Sequence, residues 1–320
     1  MFINLLKKIK EYIVRLYYFL VSFFYTNEKF KIYKNNFLIL PDCNDSNSSL
    51  NAQFCHGNLV KIKDPIVQYY DKLWYYIKNK VLQKNGGVIV RVSDGEAYFL
   101  QGKLVGNGPI RHFTRSKKLD SKDVALFKTG LLACESRHIE MLKNNQNKFL
   151  KIFRKNIFSE IPFECIYALV SSRKLFKTNY KIGLIGSYEK MGIIKELMNH
   201  KDYREYIGRE KFDDYIGIPE KGSANNPVDL SEQIQKQLKK DVDIYLVGIG
   251  IAKLVILPAL KEKSSSLFID IGAGISALAG LISNERPYFA DWCNFRLRGF
   301  DYSKVDTMDF NHNKDNFINL

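Results

Sequence analysis

Arg91, Asp94 and Glu96 fall within one short stretch, Arg91-Val92-Ser93-Asp94-Gly95-Glu96, directly after the apolar run Val88-Ile89-Val90. In extended backbone, residues two apart share a face, so Asp94 and Glu96 would project side by side beyond the end of a strand. Two carboxylates held that close repel, and the usual relief is a shared cation or a raised pKa. Hard oxygen ligands suit Mg2+ or Mn2+, ions that keep water and bind substrate phosphates. Gly95 leaves room for a phosphate to approach, and Arg91 supplies positive charge. The spacing therefore predicts a divalent-ion, phosphate-handling enzyme in which Asp94 and Glu96 are both catalytic residues and metal ligands. Asp-Gly between apolar runs is also a strong hairpin signal, which would make Ser93 to Glu96 a tight turn. The sequel, Glu96-Ala97-Tyr98-Phe99-Leu100-Gln101-Gly102, holds no β-branched residue and predicts a short helix with a glycine stop instead.

A second constellation lies far along the chain. Val247-Gly248-Ile249-Gly250-Ile251-Ala252-Lys253 follows a predicted strand and opens a helix. Glycines at such a turn permit close backbone approach, and free amides of a first helical turn bind anions. Lys253 sits where a cation opposes the helix dipole unless something negative is bound, and a donor diphosphate would supply it. The bland reading is a lysine pointing into water. Phe268-Ile269-Asp270-Ile271-Gly272 then offers another carboxylate at a strand end, with Gly272 beside it.

Taken together, Arg91-x-x-Asp94-Gly95-Glu96, Gly248-x-Gly250-x-x-Lys253 and Asp270-Ile271-Gly272 resemble the D-type (GT-D) glycosyltransferase fold family, once a domain of unknown function. The resemblance covers roughly Val88 to Leu297. It implies a nucleotide-sugar donor, a UDP-sugar foremost, and a glycan, lipid-linked or protein-linked acceptor. It also implies an Mn2+ or Mg2+ ion on Asp94 and Glu96. Arg91, Gly95, Gly248, Gly250, Lys253 and Gly272 would surround the donor, and Asp270 would meet sugar hydroxyls or activate the acceptor. The chain departs from the pattern at Val92 and Ser93, where relatives often carry an aromatic and a glycine. It departs again at Ser264-Ser265-Ser266, where relatives turn on glycine. Asp-x-Gly-x-Gly also begins one class of S-adenosylmethionine methyltransferase. That loop opens its domain, however, whereas only 46 residues follow Gly274 here.

The elements that must hold these residues read as strand-helix alternation. Predicted strands are Val88 to Val92, Cys165 to Val170, Lys181 to Gly186, Asp243 to Val247 and Leu267 to Ile271, with helical patterns at Glu189 to His200 and Asp229 to Lys240. Pro65 opens a helix carrying Ile66, Tyr70, Leu73 and Ile77, and Ser121 caps another that continues toward Glu135 to His138. Glu135 and His138 would stand one turn apart, a spacing open to acid-base work or to a solvated pair. The fold class is α/β, a Rossmann-like and mostly parallel sheet with flanking helices. Ligands in such sheets bind beyond the carboxyl ends of strands. In Arg286 to Arg296, Phe289 and Phe295 read as core, while Trp292 beside Asp291 could stack on a sugar or base.

With 320 residues and 46% hydrophobic content, the chain can bury a substantial core. The formal charge of +15 implies an anionic partner. No Arg/Gly-rich, zinc-knuckle or ribonucleoprotein-type pattern is present, so nucleic acid is not expected as a partner. Five scattered cysteines without C-x-x-C spacing fit a reducing cytosol. Residues 1–34 mix Lys7, Lys8, Lys10 and Arg15 with Leu16 to Tyr25, a run about half the ~20 apolar residues a span needs. They predict an amphipathic basic-aromatic helix lying on an anionic membrane surface, hence a cytoplasmic, peripheral protein. The competing reading is a helix packed on the domain. Residues 35–61 read as a linker, 62–300 as the glycosyltransferase-like domain and 301–320 as a polar, mobile tail.

Overall fold

A computed structural model describes residues 31–33, 37–39, 65–103, 121–140, 145–171, 173–281, 295–302, 305 and 318–320. Most of the N-terminal segment, and with it the membrane-helix expectation, lies outside the described residues. So do most of the linker and Asp291 to Asn294. From the segment and linker only an antiparallel pair is described, β1 (Lys31–Tyr33) with β2 (Phe37–Ile39).

The centre is a six-stranded sheet in the order β4-β3-β8-β7-β5-β6, with every pairing parallel. Its strands are β3 (Gly87–Val92), β4 (Ser136–Ile139), β5 (Ile182–Ser187), β6 (Asp214–Ile218), β7 (Ile244–Val247) and β8 (Leu267–Asp270). The inner strands read as continuous apolar runs because both faces are covered: every residue of β3, β5, β7 and β8 is buried. The pleat divides them between two cores. Ile89, Leu184, Leu246 and Ile269 face one core; Val88, Val90, Ile185, Val247 and Phe268 face the other.

Helices seal each face. On the first face lie α1 (Pro65–Gln83), α5 (Glu164–Ser171), α6 (Tyr188–Leu197), α7 (Lys201–Ile207) and α10 (Gly274–Leu278), contributing Leu73, Ile166, Ile194, Tyr203 and Ile275. On the second lie α2 (Asp94–Leu100), α3 (Ser121–Ala133), α4 (Gln146–Phe153), α8 (Pro227–Gln235) and α9 (Lys253–Lys261), contributing Phe99, Phe127, Phe149, Ile234 and Leu254. This is the α/β, Rossmann-like sheet with flanking helices that the sequence pattern predicts. Among the described residues no helix is long and apolar enough to cross a membrane.

Several elements correct the sequence reading. Cys165 to Val170 is not a strand but the body of α5, in which Cys165, Ile166, Tyr167, Leu169 and Val170 are all buried. A short helix buried on most sides has no polar face to reveal its period, so it reads like a core strand. Helix α3 stops at Ala133, and Ser136 to Ile139 forms the edge strand β4, so Glu135 and His138 are not a helical pair. His138 is fully buried, its ring bonded to the Ser136 hydroxyl and the Ile161 carbonyl, and burial lowers its pKa to about 4. The other edge strand, β6, escapes a search for apolar runs because it alternates buried and half-buried residues around Asp214 and Gly217. At the chain end, β10 (Ile318–Asn319) pairs in parallel with β9 (Phe295–Arg296), while residues 306–317 of the expected tail lie outside the described residues. Phe295 is buried, as a core residue should be.

Candidate active site at the carboxyl end of the sheet

Strand β3 ends at Val92, and the chain turns at once into α2, with Ser93 as N-cap in extended backbone (φ −136°, ψ −165°). Asp94 and Glu96 are therefore the first and third residues of a helix, the hairpin alternative falls away, and the short helix expected from Glu96 onward begins two residues earlier. Residues two apart on a helix do not face each other, so the side-by-side acidic pair expected from extended backbone is not formed. Glu96 instead reaches back to its cap: its Oε2 accepts from the Ser93 amide at 2.9 Å and the Ser93 hydroxyl at 3.1 Å. Asp94, half-buried at the strand mouth, accepts from the Gly95 amide at 2.9 Å.

The other oxygen of Glu96 meets Lys253. The lysine Nζ lies 2.8 Å from Glu96 Oε1 and 2.8 Å from Asp270 Oδ2, and it is only 3% exposed. Arg91 completes the cluster from β3. Its amide donates to Asp270 Oδ2 at 3.2 Å, its Nε to the Asp270 carbonyl at 2.8 Å and its Nη2 to Asp270 Oδ1 at 3.3 Å. Its guanidinium also donates to the Tyr167 hydroxyl and lies 4.4 Å from that ring's centre and 5.5 Å from that of Phe163. Asp270 Oδ1 further accepts from the Gly272 amide at 2.9 Å.

Two cations and two carboxylates thus compensate one another in a buried space. Burial alone would raise the Glu96 pKa, but Lys253 and the Ser93 amide override it and hold the carboxyl near 2. The Asp270 and Glu96 carboxylates likewise keep Lys253 above its ordinary value against the opposing effect of burial. The negative charge that Lys253 needs at the start of α9 comes from the protein itself.

The glycines have a packing explanation. A Cβ on Gly272, whose φ is +45°, would lie 1.8 Å from Arg91 Nη2. A Cβ on Gly248 would lie 2.6 Å from the Gly272 carbonyl oxygen. The space expected for a ligand at these two positions is taken by the neighbouring strand end. Gly250, at φ +58°, opens the 3-10 turn that leads from β7 into α9.

The fold nevertheless gathers what the sequence scatters. Arg91 lies near the end of β3, and Asp94, Gly95 and Glu96 follow it; Gly248, Gly250 and Lys253 follow β7; Asp270 ends β8, which pairs with both, and Gly272 follows it. Sequence reasoning missed three buried polar residues nearby. Glu140 directly follows β4 and its backbone amide donates to the Val92 carbonyl at the end of β3 at 3.1 Å, while the Asn145 side-chain amide donates to Glu140 at 3.2 Å. Glu164 is fully buried in the first turn of α5, which the Phe163 amide joins to the end of β4 through the Ile139 carbonyl. Glu140 directly follows a strand and Glu164 begins a helix, but neither element shows in the apolar pattern of the sequence, so neither carboxylate stands out there.

Both oxygens of Glu96 and both of Asp270 already meet protein donors. Among the described residues no group of three or more His, Cys, Asp or Glu side chains is arranged to hold a metal ion. As arranged, Asp94 and Glu96 do not fit a shared ion.

Fold and site together define an α/β protein with a charged cluster at the carboxyl end of a parallel sheet. No family model matches the chain, and no curated protein matches it. Similar solved structures are a selenomethionine-substituted domain of unknown function 1792 (15% identity, 66% of this chain and 83% of that one, TM-score 0.39). A glycosyltransferase of the same domain from Streptococcus sanguinis shares 14% identity over 66% of this chain and 81% of its own, TM-score 0.40. A third, described as having a distinct glycosyltransferase fold, shares 14% over 66% and 83%, TM-score 0.39.

Proposed function

We propose that the chain is a glycosyltransferase that takes a sugar from a nucleoside-diphosphate donor at the carboxyl end of the sheet. The observation that carries this reading is the convergence of three separated motifs on the adjacent ends of β3, β8 and β7, where ligands of parallel sheets bind. The motif resemblance supplies the sugar. In this reading Asp94, at the mouth, acts on the substrates. Glu96, Lys253, Asp270 and Arg91 position it by fixing the start of α2 against β8 and α9. A UDP-sugar is the first donor to try and a glycan the acceptor. Lys253 already neutralises Glu96, so in this reading Glu96 does not ligate Mn2+ or Mg2+.

Complete internal pairing of Lys253 and Asp270 also suits a non-catalytic scaffold that keeps the fold. A thermal-shift screen separates the readings, using UDP, GDP, UDP-sugars and S-adenosylmethionine, each with and without manganese. Stabilisation by a nucleotide or its sugar supports the transferase, and a manganese requirement would show that Glu96 leaves Lys253 on binding. Stabilisation by S-adenosylmethionine alone would replace the reading with a methyltransferase, and no stabilisation by any of them would favour the scaffold.

A further inference from the structure

Tyr188 is the first residue of α6, directly after β5, and its side chain is not drawn into the core: the residue is 60% exposed. It is nonetheless seated. A Cβ built on Gly217 of the neighbouring strand β6 would lie 2.2 Å from Tyr188 Cδ1, so the ring rests against the glycine's backbone. Only glycine at that position leaves the ring its place.

Register puts Gly217 level with Gly186, and a Cβ on Gly186 would meet Ile275, as would one on Gly248. The seat of Tyr188 is therefore on the same side of the sheet as the Gly248–Gly272 contact beside Asp270. Two residues along α6, Lys190 binds Glu220 beyond β6 through both carboxylate oxygens, at 2.9 and 3.0 Å. That buried pair ties the segment carrying the ring to the strand on which it rests. From β8 to β5 is two strand spacings, roughly 10 Å. A nucleotide whose diphosphate lies near the end of β8 can place its base over β5 and β6.

An exposed aromatic ring seated along one side against the protein, with the rest open to solvent, is a stacking platform for a base. We propose that Tyr188 is the platform on which the base of the donor nucleotide stacks, with Gly217 as the seat that fixes its ring. This rests on the glycosyltransferase reading above and adds the residue that recognises the nucleoside half of the donor.

The test is calorimetric binding of UDP, GDP and ADP to the full-length chain and three variants. Tyr188→Ala should bind the preferred nucleotide roughly tenfold more weakly, the weight of one lost stacking contact. Tyr188→Phe should bind as the wild type does, because stacking uses the ring and not the hydroxyl. Gly217→Ala, which keeps the tyrosine but displaces it, should lose affinity as Tyr188→Ala does, with an unchanged circular dichroism spectrum. Unchanged nucleotide binding by Tyr188→Ala overturns the platform and leaves the transferase reading standing. Equal losses in the Phe and Ala variants would also overturn it, by assigning the effect to the hydroxyl. Failure of the wild type to bind any of the three overturns both.

Discussion

Lysine and glutamate meet at both ends of the sheet, on very different terms. At the carboxyl end, Lys253 stands between Glu96 and Asp270, with side-chain exposures of 4%, 14% and 1%. At the amino end, Glu135 stands between Lys80, at 3.0 Å, and Lys261, with exposures of 29%, 19% and 26%. Tyr76 adds a long contact to Glu135 at 3.5 Å, and an open cavity of about 560 Å³ runs past Lys72, Tyr76, Glu135 and Phe158. Water can replace any partner at the amino end. At the carboxyl end it cannot, so charge there must be balanced side chain by side chain. The same ion pair is thus a fixed framework in one place and a weak surface contact in the other.

Removing each lysine should separate the two ends most strongly. Lys253→Met should cost on the order of 3–5 kcal/mol, because it leaves two buried carboxylates with Arg91 alone. Urea denaturation measures it, and adding Glu96→Gln should recover part of the loss. A cost near zero would return Lys253 to the solvent-facing, phosphate-binding role that its place at a helix start suggests.

Acid titration gives a second, smaller contrast. Glu96 titrates near 2 in the folded chain against an ordinary 4.5, so its stabilisation is complete above pH 4.5 and is lost as pH falls toward 2. Glu96→Gln should flatten that part of the stability profile. Glu135 is also held below its ordinary value by Lys261 and Lys80, against burial, but its exposure to solvent screens the effect. Glu135→Gln should therefore change the acid limb far less. Equal flattening by both variants would mean that burial does not distinguish the two ends.

The smallest expected effect is that of Lys261→Met, within about 1 kcal/mol and further reduced by salt. A larger, salt-independent loss would show that the amino-end cluster is as closed as the other.

Much of this architecture is legible in the sequence where burial imposes a pattern. Strands β3, β7 and β8 announce themselves because both faces are covered, and each ends at the residues that carry chemistry. The edge strands β4 and β6 are not legible, since Arg137, His138 and Asp214 interrupt the apolar run that marks an inner strand. Glu96, Lys253, Asp270 and Arg91 each stand in a motif that is legible in the sequence, but the contacts among them are not. Backbone two residues past a strand can stay extended or begin a helix, and the turn at Ser93 decides whether two carboxylates share a face. That Glu96 would meet Lys253, 157 positions away, depends on the order of strands in the sheet, which no local spacing encodes.

The most direct measurement is release of nucleoside diphosphate from a UDP-sugar by the wild-type chain and by Asp94→Asn, with thermal midpoints measured alongside. If Asp94 works on the substrates at the mouth of β3, the variant should keep its midpoint and lose about 10² or more in turnover, the usual weight of a positioned acid or base. Turnover within a few-fold of the wild type would contradict the account, because the carboxyl end of this sheet would then be a charged framework and not a site of transfer.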